Sequence, residues 1–194
     1  NRDYEPYAKE RDQAVDLLLK EKGATLYSFK DQVIFEPGEI LNGSGEFYKV
    51  FTPFSRNWQD KYRQTKVQPL QNPNWKNLLH TSPIPMPSLE DLGFEKTAIP
   101  IPSKITNEAI ISHYDQTRNF PAQNGTTRLG IHLRFGTISV RQLAQVAARL
   151  NETYLNELIW REFYMMILGF NPQVVDKAFT VSYTHLTLPT NREV

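Results

Sequence analysis

Cysteine is absent from this sequence, and with it any disulfide framework or thiolate metal site. Long apolar runs are absent too. None approaches the roughly 18–20 residues that a membrane-spanning helix needs, so no membrane partner is expected. Net charge is nearly absent, +1 over 194 residues, which excludes a strong global field and leaves any nucleic-acid contact to a local patch. His80, His113, His132 and His185 are too scattered for metal-ligand spacing or for a Ser–His–Asp order, and no metal is expected. The chain has neither an initiating Met nor a signal-peptide pattern. It opens "NRDYEP", as a segment cut from a longer protein would.

Lysine is missing locally. Residues 105–169 hold six Arg, five acids and no Lys, whereas residues 1–49 hold ten acids and seven bases and residues 50–104 hold four acids and seven bases. Arg without Lys suits planar, bidentate contact with phosphate or base rather than general solubility.

What is present divides the chain. Pro6 and Gly23 bracket a helix whose apolar face is Ala14, Val15, Leu17, Leu18 and Leu19. "ATLYSF" and "VIF" then read as short strands, with turn chemistry at Asp31 and Gly38, so that residues 1–64 look like the end of an α/β unit. "TPFSRNWQDKYRQ" reads as a helix capped by Thr52 with Pro53 in its first position. Pro69, Pro73, Pro83, Pro85, Pro87, Pro100 and Pro102 make 65–104 an extended linker. A helical pattern fills 105–179. It comprises a helix over 106–117, a loop "NGTTRLG", a helix opened by a Ser139/Gln142 capping box, and a last helix capped by Thr153 and ending at Gly169. The tail 180–194 fits neither pattern and reads as non-native.

Three stretches carry chemistry. In "NELIWREFY" a helix places Glu157, Trp160, Arg161 and Tyr164 at i, i+3, i+4 and i+7. A carboxylate accepts from exocyclic amines, a guanidinium binds phosphate and an indole offers a flat face to a base. The plainer alternative is a surface ion pair beside core aromatics. In "NGTTRLG", hydroxyls, a guanidinium and backbone N–H groups converge in a Gly-bounded loop suited to phosphate, or else simply cap a helix. In "HYDQTRNFP", Tyr114 and Arg118 are i, i+4 neighbours that can stack and bind phosphate, or form a surface cation–π pair.

"YKVFTPFSRNW" (48–58), "RNFPAQNGTTRLGIHLRFGTIS" (118–139) and "LNELIWREFY" (155–164), in this order and spacing, resemble the DNA photolyase/cryptochrome family, and within it bacterial class I deoxyribodipyrimidine photolyases. The resemblance implies the α/β end of an antenna domain (1–64), an interdomain linker (65–104) and the beginning of an all-α FAD-binding domain (105–179). It implies light-driven repair of cyclobutane pyrimidine dimers in the full-length protein, with photoexcited reduced FAD as electron donor, and an inactive fragment here. Cofactor contacts carry over to Tyr114, Thr126, Thr127, Arg128, Leu129, Gly130, Tyr154 and Arg161. DNA contacts carry over to Arg118, Glu157, Trp160, Arg161 and Tyr164, with Glu157 and Trp160 as the catalytic pair holding the dimer. Gly130 stands where the family has Ser. Ala8 stands where folate-using members have an acid, which makes a folate antenna doubtful and leaves a deazaflavin or no antenna open. The expected partner is UV-damaged DNA, met by a cytoplasmic monomer. The rival readings are a cryptochrome-type light sensor, a cofactor-free helical nucleic-acid-binding module, and a purely structural helical domain.

Overall fold

The computed structural model describes residues 1–65, 67, 76, 78 and 82–179. The expectations at Pro69, Pro73, His80, His185 and the tail 180–194 lie outside the described residues.

Helix α1 spans Pro6–Glu21, with Pro6 at its first position, where the missing N–H has no intrahelical partner anyway. It closes through Lys22 N–H to Leu19 O (3.0 Å) and Ala24 N–H to Leu19 O (2.9 Å), around Gly23 at φ 71°. That left-handed turn is the one glycine makes cheaply. Only Ala8 of this helix is buried, and the apolar face expected at Val15, Leu17 and Leu18 is open to solvent.

The strands expected at "ATLYSF" and "VIF" do not form, and no strand occurs among the described residues. A strand exists only through its ladder, and beyond the helix-closing bond of Ala24 the run 24–30 has one backbone bond, from Arg2 N–H to Phe29 O (2.9 Å). Val33, Ile34 and Phe35 are nonetheless core, at 0–5% exposure. Their backbone is satisfied by a side chain in place of a neighbouring strand, since Glu162 accepts from the N–H groups of Ile34 and Phe35.

Helix α2 (Phe51–Gln64) begins two residues earlier than expected. Val50 is its cap, and Thr52 and Pro53 lie inside the first turn. α3 (Glu108–Ser112) and α4 (Tyr114–Thr117) replace the single helix expected over 106–117, broken at His113, whose ψ is 13°. Asn107 caps α3, accepting from Ala109 and Ile110 N–H. A short helix, α5 (Gly130–Arg134), follows the Gly-bounded loop. α6 (Val140–Leu150) is capped as expected by Ser139, which accepts from Gln142 N–H at 3.3 Å.

α7 (Glu152–Phe170) is the central element. Its cap is Asn151, accepting from Tyr154 N–H at 3.1 Å, rather than Thr153. The Asn151 side-chain oxygen, two residues upstream, reaches one of the free N–H groups of the first turn, whereas Thr153 already lies inside the helix. α2, α4 and α6 all pack on α7. The core joins Phe54 and Trp58 of α2, Leu143, Ala144 and Ala147 of α6, and Leu155, Leu158, Ile159, Phe163 and Met166 of α7.

α7 runs on through Gly169 to Phe170, because Gly169 is not a terminator but a contact point. A Cβ there would lie 2.7 Å from Pro37 Cγ. Gly→Ala inside a helix normally gains about 1 kcal/mol. Here the clash with a rigid ring reverses the sign, and Gly169→Ala is expected to cost about 1–2 kcal/mol, read as a lower urea midpoint of the full-length protein.

Candidate functional site

The Gly-bounded loop is pinned at two points. Leu129 is 2% exposed and anchors the loop in the core. Gly125 lies so close to α4 that an added Cβ would be 2.6 Å from Thr117 Oγ1. Between these points Arg128 adopts φ 53°, the left-handed region an arginine enters at a cost of about 1–2 kcal/mol. Asn107, Asn124, Thr126, Thr127 and Arg128 line a cavity of ≈ 420 Å³, closed on its apolar side by Ile105 and Ile110. The lining is mostly apolar in spite of these polar residues, and Gly130 leaves the α5 entrance open, with nothing within 4 Å of where its Cβ would be.

From this loop a line of contacts crosses to α7. Thr127 Oγ1 and the Tyr154 hydroxyl are hydrogen-bonded at 2.8 Å. Tyr154 meets Tyr114 edge-to-face, centroids 5.0 Å apart at 82°. The Arg118 guanidinium lies 5.5 Å from the Tyr114 ring and pairs with Glu157 Oε1. Burial raises both phenols above their ordinary range, with Thr127 partly opposing this at Tyr154, so each keeps its proton at neutral pH.

One turn beyond Glu157, Trp160 is half-buried and near-parallel to Tyr164 at 5.5 Å and 24°. Tyr164 itself is 62% exposed. Glu157, Trp160 and Tyr164 therefore share one open edge of α7.

Arg161 leaves that edge. Its guanidinium donates to Gln32 O (2.6 Å) and Leu133 O (3.4 Å) and is mostly buried, and desolvation lowers its pKa. In this structure it ties the 30–36 loop to α5 and α7. Arg141 does the same from α6, donating to the carbonyls of Lys30, Asp31 and Val33. Among the described residues no group of three or more His, Asp or Glu could hold a metal ion.

Two residues escaped the sequence reading. Glu162 is 2% exposed and accepts from Ile34 N–H, Phe35 N–H (3.2 Å) and Trp58 Nε1–H (2.6 Å). The signal was present, because an acid at 162 interrupts the apolar series Leu155, Leu158, Met166 on the inner face of α7. The other is Phe51, which lies on the Trp160 ring.

Comparison with known proteins places this arrangement. Residues 1–74 match the family model described as DNA photolyase. The chain is 32% identical to a deoxyribodipyrimidine photo-lyase of Halobacterium salinarum, over 95% of this chain and 43% of that protein. It is 34% identical to the Synechococcus protein of the same name and 30% identical to that of Escherichia coli, each over at least 91% of this chain and 42% of the relative. Over most of its length the chain is similar to proteins named deoxyribodipyrimidine photo-lyase. A crystal structure of a bacterial class III photolyase from Agrobacterium tumefaciens shares its fold, with TM-score 0.70 at 24% identity over 91% of this chain and 41% of that one. The chain spans about two-fifths of the length of these relatives. The photolyase match over 1–74 gives residues 1–64 a family context, although they carry helices and loops where an α/β description expects strands.

Proposed function

We propose that the full-length protein repairs cyclobutane pyrimidine dimers in light, and that this chain supplies one wall of the chamber where cofactor and lesion meet. The supporting observation is the unbroken line of contacts Thr127–Tyr154–Tyr114–Arg118–Glu157, which joins a phosphate-suited loop to the open indole edge. Thr126, Thr127 and Arg128 of that loop line one cavity and the glycine at 130 leaves backbone approach open, which supports a place there for the phosphates of FAD. When bound, reduced FAD supplies the light-driven electron that opens the cyclobutane ring.

This chain's own residues bind and orient. Tyr114 and Tyr154 form the protonated phenol wall between loop and α7, and Leu129 fixes the loop to the core. Arg118 steadies the Glu157 carboxylate, which accepts hydrogen bonds from the lesion's imide N–H groups, and it offers its remaining charge to a DNA phosphate. Trp160 and Tyr164 give the extruded bases an apolar face, at a low cost of extrusion because a dimer is already poorly stacked. Arg161 serves this reading as the tie that holds α7 in place.

The same reading assigns 1–64 to the end of an antenna domain, 65–104 to the linker and 105–179 to the start of the FAD-binding domain, in a monomeric cytoplasmic protein. No helix among the described residues is long and apolar enough to cross a membrane. Ala8 stands where folate-using members have an acid, which argues against a carboxylate-held folate and leaves a deazaflavin or no antenna open.

The deciding experiment uses the full-length protein, a thymine-dimer oligonucleotide and visible light. The expected result is dimer reversal only under illumination and only with flavin bound. Bound flavin without reversal would favour a light sensor, and an intact colourless protein would favour a cofactor-free DNA-binding module.

A further inference from the structure

The stretch "YKVFTPFSRNW" delivers a residue to the α7 edge that the repair reading leaves unused. The Phe51 ring lies on the Trp160 indole with centroids 3.6 Å apart and planes at 6°. Phe163 meets both rings edge-on, Phe51 at 5.8 Å and 83° and Trp160 at 5.6 Å and 86°. Phe163 is in turn locked in the core, 5% exposed and 5.3 Å from the buried Phe54 ring. Near-eclipsed stacking is not what a free aromatic pair prefers, since offset or edge-to-face arrangements are lower in energy. The helices impose it. One turn along α2 from Phe51, Ser55 Oγ donates to Asn156 Oδ1 at 3.1 Å, and Asn156 lies one turn along α7 from Trp160. The two helices are thereby held in a register that presses Phe51 onto the indole.

We propose that Phe51 is a positioning residue for lesion recognition: it covers one face of the Trp160 indole and fixes the ring plane, so that an extruded pyrimidine dimer meets a preset wall formed by the indole and the near-parallel Tyr164 ring. This rests on the repair reading of the site. An indole free to turn about its two side-chain torsions would lose that freedom on binding, and the loss would offset part of the stacking gain. Held between Phe51 and Phe163, it has little left to lose.

The test measures affinity of the full-length protein for a single-dimer oligonucleotide and for its undamaged twin at fixed salt. Phe51→Ala is expected to weaken dimer binding about tenfold and undamaged binding less than twofold. Phe51→Leu keeps apolar volume without a flat ring and is expected to weaken dimer binding about fivefold, while Phe51→Tyr keeps the ring and returns it to within twofold of wild type. Flavin content is expected to stay unchanged in all three. If Phe51→Ala fails to fold, Leu against Tyr decides, and equal dimer affinities for those two overturn the proposal. Wild-type dimer affinity in folded Phe51→Ala, beside a large loss in Trp160→Ala, overturns the positioning role and leaves the repair reading standing. Wild-type affinity in Trp160→Ala removes the repair reading and this inference together.

Discussion

Glu162→Ala is expected to destabilise the full-length protein by about 4 kcal/mol, because it strands three buried donors at once. The carboxyl group is the shared acceptor of Ile34 N–H, Phe35 N–H and Trp58 Nε1–H, all in the core. Truncation leaves each of them without a partner, at about 1–3 kcal/mol apiece before relaxation or entry of a water. Glu162→Gln keeps one acceptor oxygen but turns an NH₂ toward N–H groups, and is expected to cost about half as much. The same residue sets a pH dependence. Burial raises its pKa from 4.5 to about 7, against the pull of the three donors and the nearby Arg161. Between those values the folded protein holds a proton that the unfolded chain has released, so stability falls as pH rises. The contribution is complete below about pH 4.5, declines with a slope of up to about 1.4 kcal/mol per pH unit, and is gone above pH 7, about 3 kcal/mol in all. Urea midpoints at pH 5, 6, 7 and 8 check this. The slope should be present in wild type and flattened in Glu162→Gln, and a flat wild-type profile would refute the account.

Glu162 also shows where sequence reasoning reaches and where it stops. Helix starts set by local chemistry were legible: Pro6 and Gly23 framed α1, and Ser139 caps α6. The cap of α7 was missed by two residues, since Asn151 and Thr153 both carry cap chemistry and only backbone geometry separates them. The strands at 24–35 were misread because extended propensity says nothing about a partner, and the loop found its acceptor 127–128 residues away, on Glu162. The four-residue stripe on α7 was half right as a surface. Spacing of i, i+3, i+4 and i+7 defines a broad face with two edges. Glu157, Trp160 and Tyr164 took the open one, while Arg161 found the Gln32 and Leu133 carbonyls at the other. Periodicity ranks residues by angle around an axis, and only the neighbours decide which angles meet solvent.

Trp160→Ala is expected to weaken binding of dimer-containing DNA by about 10- to 100-fold while leaving undamaged DNA within twofold. The indole is the largest ring on the open edge of α7, and a base stacked on an aromatic face contributes roughly 1–3 kcal/mol. Undamaged duplex keeps its bases stacked inside the helix, and on the repair reading it meets the protein mainly through phosphates, the contact proposed for Arg118. Discrimination therefore falls even though non-specific affinity is kept. Tyr164 cannot replace the lost ring, because it is 62% exposed and loses its own stacking partner when the indole is removed. Trp160→Phe keeps a smaller flat face against Phe51 and should recover about half of the lost binding free energy. The measurement is a pair of binding isotherms at one salt concentration, since salt alone moves both curves together. Equal weakening of damaged and undamaged binding would assign Trp160 to packing of α2 on α7. Selective loss of the damaged curve ties the indole to the lesion, because only an extruded base can reach a ring set against a helix wall.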